Sequence, residues 1–266
     1  MSDSLSTWLA VREPADAAAR STSLADAVAG RLQHARPLRV LDLGTGTGSN
    51  IRFLSPRLPV PQQWLAVDED ATLLMQLGSR TQVTGQIEIR CANLGPAPPA
   101  DIFERRHLVT ASALLDLVSD SWIKLIAERC RAENALALFA LNYDGRSHCL
   151  PAEPEDDDVR ELMNRHQRTN DKGFGRAAGP DAIESAARWF AAVGYEVRRD
   201  VSNWALSPDM RELQRQLIEG WADAAVEIAP DRRDMIGDWR ARRLAHVDAN
   251  RSHIVVGHED VAAWAR

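Results

Sequence analysis

Three glycines at alternate positions, Gly44, Gly46 and Gly48, follow a short apolar run carrying Asp42 in VLDLGTGTGSN, residues 40–50. A glycine turn between a buried strand and a helix offers backbone N–H groups, and the positive end of the helix, to whatever lies above a sheet. The spacing is not the dinucleotide fingerprint G-x-G-x-x-G. It also lacks the lysine of a phosphate loop, because Gly48 runs on into Ser49 and Asn50. What fits is acidic-x-G-x-G-x-G. A second concentration of polar groups lies in NRHQRTNDKGFG, residues 164–175. His166 ordinarily titrates near neutral pH and is the candidate general base. Asp171, and Tyr143 in LNYDGR, are the other candidate catalytic groups. Arg165, Arg168 and Lys172 suit a substrate carboxylate or phosphate, with Asn142 and Arg146 beside them as binding candidates. Phe174, between Gly173 and Gly175, suits a lid. The same segment also fits a solvated loop whose charges only keep it soluble.

The elements that must position these groups are legible from residue 38 onward. LRVLDLG (38–44), QQWLAVDED (62–70), QIEIRCANL (86–94), HLVTASALLDLV (107–118) and ALALFALNYDG (135–145) read as strands separated by helical stretches. Such alternation predicts a parallel sheet covered on both faces, doubly wound. Before it, residues 1–35 predict two short helices broken near Pro14, the second capped by Ser or Thr at 21–23. After it, residues 146–180 are too irregular for another strand–helix unit and predict a functional insertion. Residues 181–266 return to an amphipathic helix ended by Gly194, a strand over YEVRRDVSNWAL, two helices near 209–228 and 231–247, and a last strand in SHIVVGHED. One domain spans 1–266, with 36–145 as its ligand-binding half.

The glycine pattern resembles the first motif of class I S-adenosylmethionine-dependent methyltransferases, and further matches follow at the expected intervals. Asp68, with Glu69, ends the second strand in LAVDED; Asn93 and Leu94 follow the third; Ser112 and Leu114 end the fourth. The resemblance implies a Rossmann-like, mostly parallel seven-stranded α/β sheet whose last strand inserts antiparallel. It also implies S-adenosylmethionine as cofactor, leaving as S-adenosylhomocysteine. Asp42 would serve the methionine ammonium, the loop Gly44, Thr45, Gly46, Gly48 and Asn50 the methionine and ribose, and Asp68 the ribose hydroxyls. Asn93, Leu94, Ser112 and Leu114 would line the adenine and methionine sides. Many relatives open strand four with an aspartate; this chain has His107 there. A nicotinamide-binding sheet and an unliganded tight turn are the competing explanations of the glycines.

Composition narrows the substrate. A net charge of −6 over 266 residues argues against nucleic acid as a partner, and no apolar run is long enough for a membrane span. Three widely spaced cysteines, Cys91, Cys130 and Cys149, fit neither a disulfide framework nor a metal site and suit a reducing cytoplasm. The acidic run EPEDDDV complements a helix start without needing an ion. The expectation is methylation of a small molecule at oxygen or nitrogen, with a protein or RNA substrate, or a cofactor-binding homologue without catalysis, as the alternatives.

Overall fold

The computed structural model describes residues 2–169 and 171–265. Two helices come first, α1 (Ser2–Ala19) and α2 (Thr22–Arg31). α1 does not break at Pro14: it continues through the proline, held on either side by an ion pair of Glu13 with Arg52 and by Arg12 with Asp16 one turn on. The Ser21 hydroxyl caps α2 by accepting from the Leu24 N–H at 3.0 Å.

β1 (Leu38–Leu43), β2 (Gln62–Asp68), β3 (Gly85–Cys91), β4 (Leu108–Ser112) and β5 (Leu136–Leu150) lie parallel, connected in part by α3 (Ser49–Leu54), α4 (Ala71–Arg80) and α5 (Asp120–Ala132). After α6 (Asp156–Thr169) and α7 (Ala182–Ala192) come β6 (Tyr195–Val201) and the short β7 (Trp204–Leu206). α8 (Arg211–Ile228) and α9 (Arg233–Asp248) lead to β8 (His253–Ala265), which inserts antiparallel between β5 and β6. The order β3-β2-β1-β4-β5-β8-β6 reverses between β1 and β4, so a crevice opens there above the carboxyl ends of the strands.

Alternation along the strands explains the two layers. Leu41 and Leu43 pack with residues of α5 and α7 on one face, while Leu38 and Val40 pack with α2, α3 and Leu77 of α4 on the other. A third apolar cluster joins α1, α6, α8 and α9 to the far end of β5 and the start of β8.

Two expectations are corrected here. The sheet has eight strands, not seven, because YEVRRDVSNWAL divides into β6 and β7. Ser202 and Asn203 leave the ladder between them: the Ser202 N–H donates to the His258 carbonyl at 2.9 Å, and the His258 N–H donates to Asn203 Oδ1 at 3.0 Å. Both halves still pair with β8. The insertion is also more regular than its sequence suggests. Its first residues extend β5 to Leu150, and α6 takes up 156–169. The acidic start of α6, Asp156 to Asp158, sits where the helix dipole favours negative charge.

Candidate active site

The glycine turn is built by Asp42, whose side chain is fully buried. Its carboxylate accepts from Thr45 Oγ1 and from Asn50 Nδ2, both at 2.6 Å. These bonds tie the two ends of the loop together. Burial pushes the Asp42 carboxyl up to about 6 against the pull of its two donors. Asp42 is not among the residues lining the crevice, and its carboxylate shapes the loop from beneath. Gly46 has φ of 53°, and a Cβ on it would lie 3.2 Å from Leu9 Cδ1 of α1. Gly48, with φ of 87°, has a different reason: a Cβ there would meet Thr81 Oγ1 at 2.7 Å. It is needed for packing on α4 and does not line the crevice.

Above the turn lies a cavity of about 520 Å³, within the usual range for small-ligand sites. At one end it is lined by Gly44, Thr45, Gly46, Asn50, Asp68, Glu69, Leu94, Ser112 and Leu114, nine of the twelve residues expected at the cofactor. Asp68 accepts from the Gly46 N–H at 2.8 Å and the Asp70 N–H at 2.9 Å, one to each oxygen. Each oxygen keeps a second lone pair. Asn93 is the third exception: its Nδ2 donates to Glu69 Oε2 at 3.1 Å and its Oδ1 accepts from the Gly95 N–H at 2.7 Å. It shapes the turn beside the cavity without lining it.

The other end of the cavity is where sequence reasoning and structure part. Tyr143, Lys172 and Phe174 do line the cavity. Phe174 stands edge-on to Trp122, with ring centroids 5.9 Å apart, and Gly95 packs directly beneath its loop, so it borders the Leu94 end. The Tyr143 hydroxyl donates to Asn164 Oδ1 at 2.9 Å, and burial raises its pKa above the ordinary value, which leaves it a protonated wall and not a base. His166 is turned toward α8, where Nε2 meets Glu227 Oε2 at 2.8 Å. Helical geometry explains this, since Met163 and Gln167, one turn apart on α6, are the residues that face the cavity. Arg168 pairs with Asp181, and Arg165 is likewise outside the lining. Asp171 closes its own turn by accepting from the Gly173 and Gly175 N–H groups at 2.8 and 3.0 Å. Arg146 is bound to Asp144, and Asn142 Nδ2 donates to the Phe139 and Glu259 carbonyls. None of these five, nor His166, reaches the cavity.

What the structure supplies instead comes from distant segments. Trp8, Arg12 and Asp16 of α1, Trp204 of β7, Trp221 of α8 and His258 of β8 complete the walls. Trp204 lies 5.1 Å from the His258 ring and 6.3 Å from Trp8, centroid to centroid. The Arg12 guanidinium sits 4.9 Å over Trp204 while bound to Asp16, which also accepts from Trp204 Nε1 at 3.0 Å. Arg20 is equally engaged, donating to Asn50 and to Ser112 Oγ. His258 is buried, and burial lowers its pKa to about 4. Its Nδ1 lies 3.1 Å from the Val256 carbonyl, which can only accept, so Nε2 carries the lone pair.

Asp116, on the turn after β4, lines the same chamber and is 8% exposed. Burial pushes its carboxyl up to about 6, opposed by its own backbone N–H and then by Arg12 and Lys172. In sequence its only signal is one acidic residue inside the otherwise apolar ALLDLV.

No family model matches the chain, and no curated relative matches its sequence. Solved structures do resemble it. A methyltransferase from Geobacter sulfurreducens with bound S-adenosylhomocysteine is 13% identical with a TM-score of 0.48, over 92% of each chain. A cyclopropane synthase from Mycobacterium tuberculosis is 11% identical with a TM-score of 0.47, over 90% of this chain and 82% of its own. The YcgJ protein of Bacillus subtilis is 16% identical with a TM-score of 0.48, over 91% and 98%. The strand order, the inverted last strand and the glycine turn after β1 give this chain the class I methyltransferase fold.

Proposed function

We propose that the protein is an S-adenosylmethionine-dependent methyltransferase that methylates a small molecule at oxygen or nitrogen. The observation that carries this is a single cavity joining a carboxylate-edged glycine turn to a separate aromatic chamber. The first end fits the cofactor. A side chain on Gly46 would press on Leu9, while Asp68 and Glu69 present acceptors suited to a diol, with Leu94 and Leu114 as apolar neighbours. S-adenosylmethionine supplies an electrophilic methyl on a sulfonium. The protein's own task is to hold an acceptor in line, exclude water and take up a proton where the acceptor carries one. The walls that Trp8, Arg12 and Asp16 of α1 add to the cavity support a small acceptor over a macromolecular one.

Calorimetry with S-adenosylhomocysteine tests the proposal. Wild type binds it, and Asp68→Ala weakens binding about 10-fold or more, the size expected when charge-assisted hydrogen bonds are lost. Absence of wild-type binding at high micromolar concentration removes the proposal.

A further inference from the structure

Asp116 is buried to more than nine-tenths, lines the acceptor chamber, and has an Oδ1 with no hydrogen-bond partner among the described residues. A carboxylate in that position is costly unless something else satisfies it. The nearby cations do not. Arg12 is bound to Asp16, and no ion pair links Asp116 to Lys172 among the described residues. Along the whole cavity five carboxylates, Asp16, Asp68, Glu69, Asp70 and Asp116, face two cations, Arg12 and Lys172. The cavity that Asp116 lines also carries the rings of Trp8, Tyr143, Trp204 and Trp221, with apolar Leu141 and Met163. A cavity with aromatic walls and a carboxylate oxygen left without a partner is complementary to a protonated amine on a compact apolar body.

We propose that the acceptor is an apolar, aromatic-sized amine, and that Asp116 holds its nitrogen and receives its proton. This rests on the methyltransferase assignment above and deepens it by choosing nitrogen over oxygen. An ammonium substrate passes one proton to the Asp116 carboxylate, which frees the nitrogen lone pair. That pair forms the new N–C bond as the carbon–sulfur bond breaks and its electrons stay on sulfur. The methylated ammonium leaves with charge conserved, and Asp116 returns its proton to water. His258, neutral with Nε2 as an acceptor, lines the same cavity and offers a second partner for an N–H.

The experiment uses the full chain saturated with S-adenosylhomocysteine, with phenethylamine, tryptamine and N-methylbenzylamine as probes and their neutral alcohol counterparts as controls. Binding is followed by calorimetry and by tryptophan fluorescence. The amines bind the wild-type protein at least about 10-fold more tightly than the matching alcohols, and Asp116→Asn removes that preference by weakening only the amines, about 10- to 100-fold. Equal affinity for amines and alcohols in wild type overturns the proposal, as does absence of any amine binding at millimolar concentration. So does a preference that survives Asp116→Asn. The wild-type comparison holds even if the variant does not fold. S-adenosylhomocysteine binding separates the two assignments: its loss in wild type defeats the methyltransferase, whereas intact cofactor binding without amine preference defeats the amine acceptor alone.

Discussion

Two buried aspartates carry the contrast between holding a fold and serving a ligand. Asp42 has a donor for each oxygen, so its burial stiffens the glycine turn. Asp116 has its own backbone N–H beside it but leaves Oδ1 without a partner among the described residues. The consequence is a pH-dependent penalty. The Asp116 carboxyl is raised in the folded protein to about 6 from 3.8, with Arg12 and Lys172 the cations facing it, so the unfolded chain is the stronger acid. Folding therefore loses stability as pH rises from about 4 to about 6, and the loss persists above that range. Asp116→Asn removes it: the variant is more stable than wild type at neutral pH by up to roughly 3 kcal/mol, and the gap closes below about pH 4. Urea midpoints across pH measure this. A variant less stable than wild type at pH 7 contradicts the unpartnered state of Asp116. A residue kept at a cost to stability marks function more firmly than one whose bonds are complete.

Among the elements, α1 decides access. Leu9 closes over Gly46 while Glu13 takes a two-pronged grip on Arg52, 2.7 Å at each contact, so the helix roofs the cofactor end of the cavity. Gly46→Ala puts a methyl into the path of Leu9 at a residue with φ of 53°, where a side chain costs about 1 kcal/mol or more. S-adenosylhomocysteine affinity falls by about 10-fold or more as a result, and unchanged affinity would show that α1 stands clear of the turn. Glu13→Gln acts on the latch: S-adenosylhomocysteine dissociates faster in stopped-flow, with its equilibrium affinity less affected, and an unaltered off-rate shows that α1 is not the gate. α1 is also where sequence legibility ended. The sheet from β1 to β5 was readable because buried parallel strands are short continuous apolar runs between turns, and the alternating glycines announced the loop. Trp8, Trp204, Trp221 and His258 carry no such sign. They lie far apart in the chain, and only the folding of α1 and α8 against β7 and β8 brings them together. His166 misled for the converse reason: residue type suggested a base, while helical phase directed it at Glu227.

For the molecule as a whole, the two ends of the cavity depend on different cores. The cofactor end stands on the sheet and its covering helices, whereas the acceptor chamber is framed by the cluster of α1, α6, α8 and α9. That second cluster is pinned by Arg243 of α9, which is fully buried. Its Nε donates to Asp156 Oδ1 at 2.9 Å and its Nη1 to the Pro151 carbonyl at 2.6 Å, while Trp239 Nε1 also donates to Asp156 Oδ1, at 2.8 Å. Replacing one partner of such a pair leaves a buried charge without its counterion and costs about 3–5 kcal/mol, whereas replacing both with apolar groups is close to neutral. Arg243→Met therefore lowers the urea midpoint sharply, and Arg243→Met with Asp156→Leu recovers only part of it, because Trp239 Nε1 and the Glu153 N–H lose their acceptor. Because α6 carries Met163 and α8 carries Trp221 into the chamber, loosening this pin disturbs the acceptor end first. At temperatures where Arg243→Met remains folded, it loses affinity for the amine probes while S-adenosylhomocysteine affinity holds. Loss of both in parallel would mean that the two cores act as one, and that the acceptor chamber cannot change independently of the cofactor end.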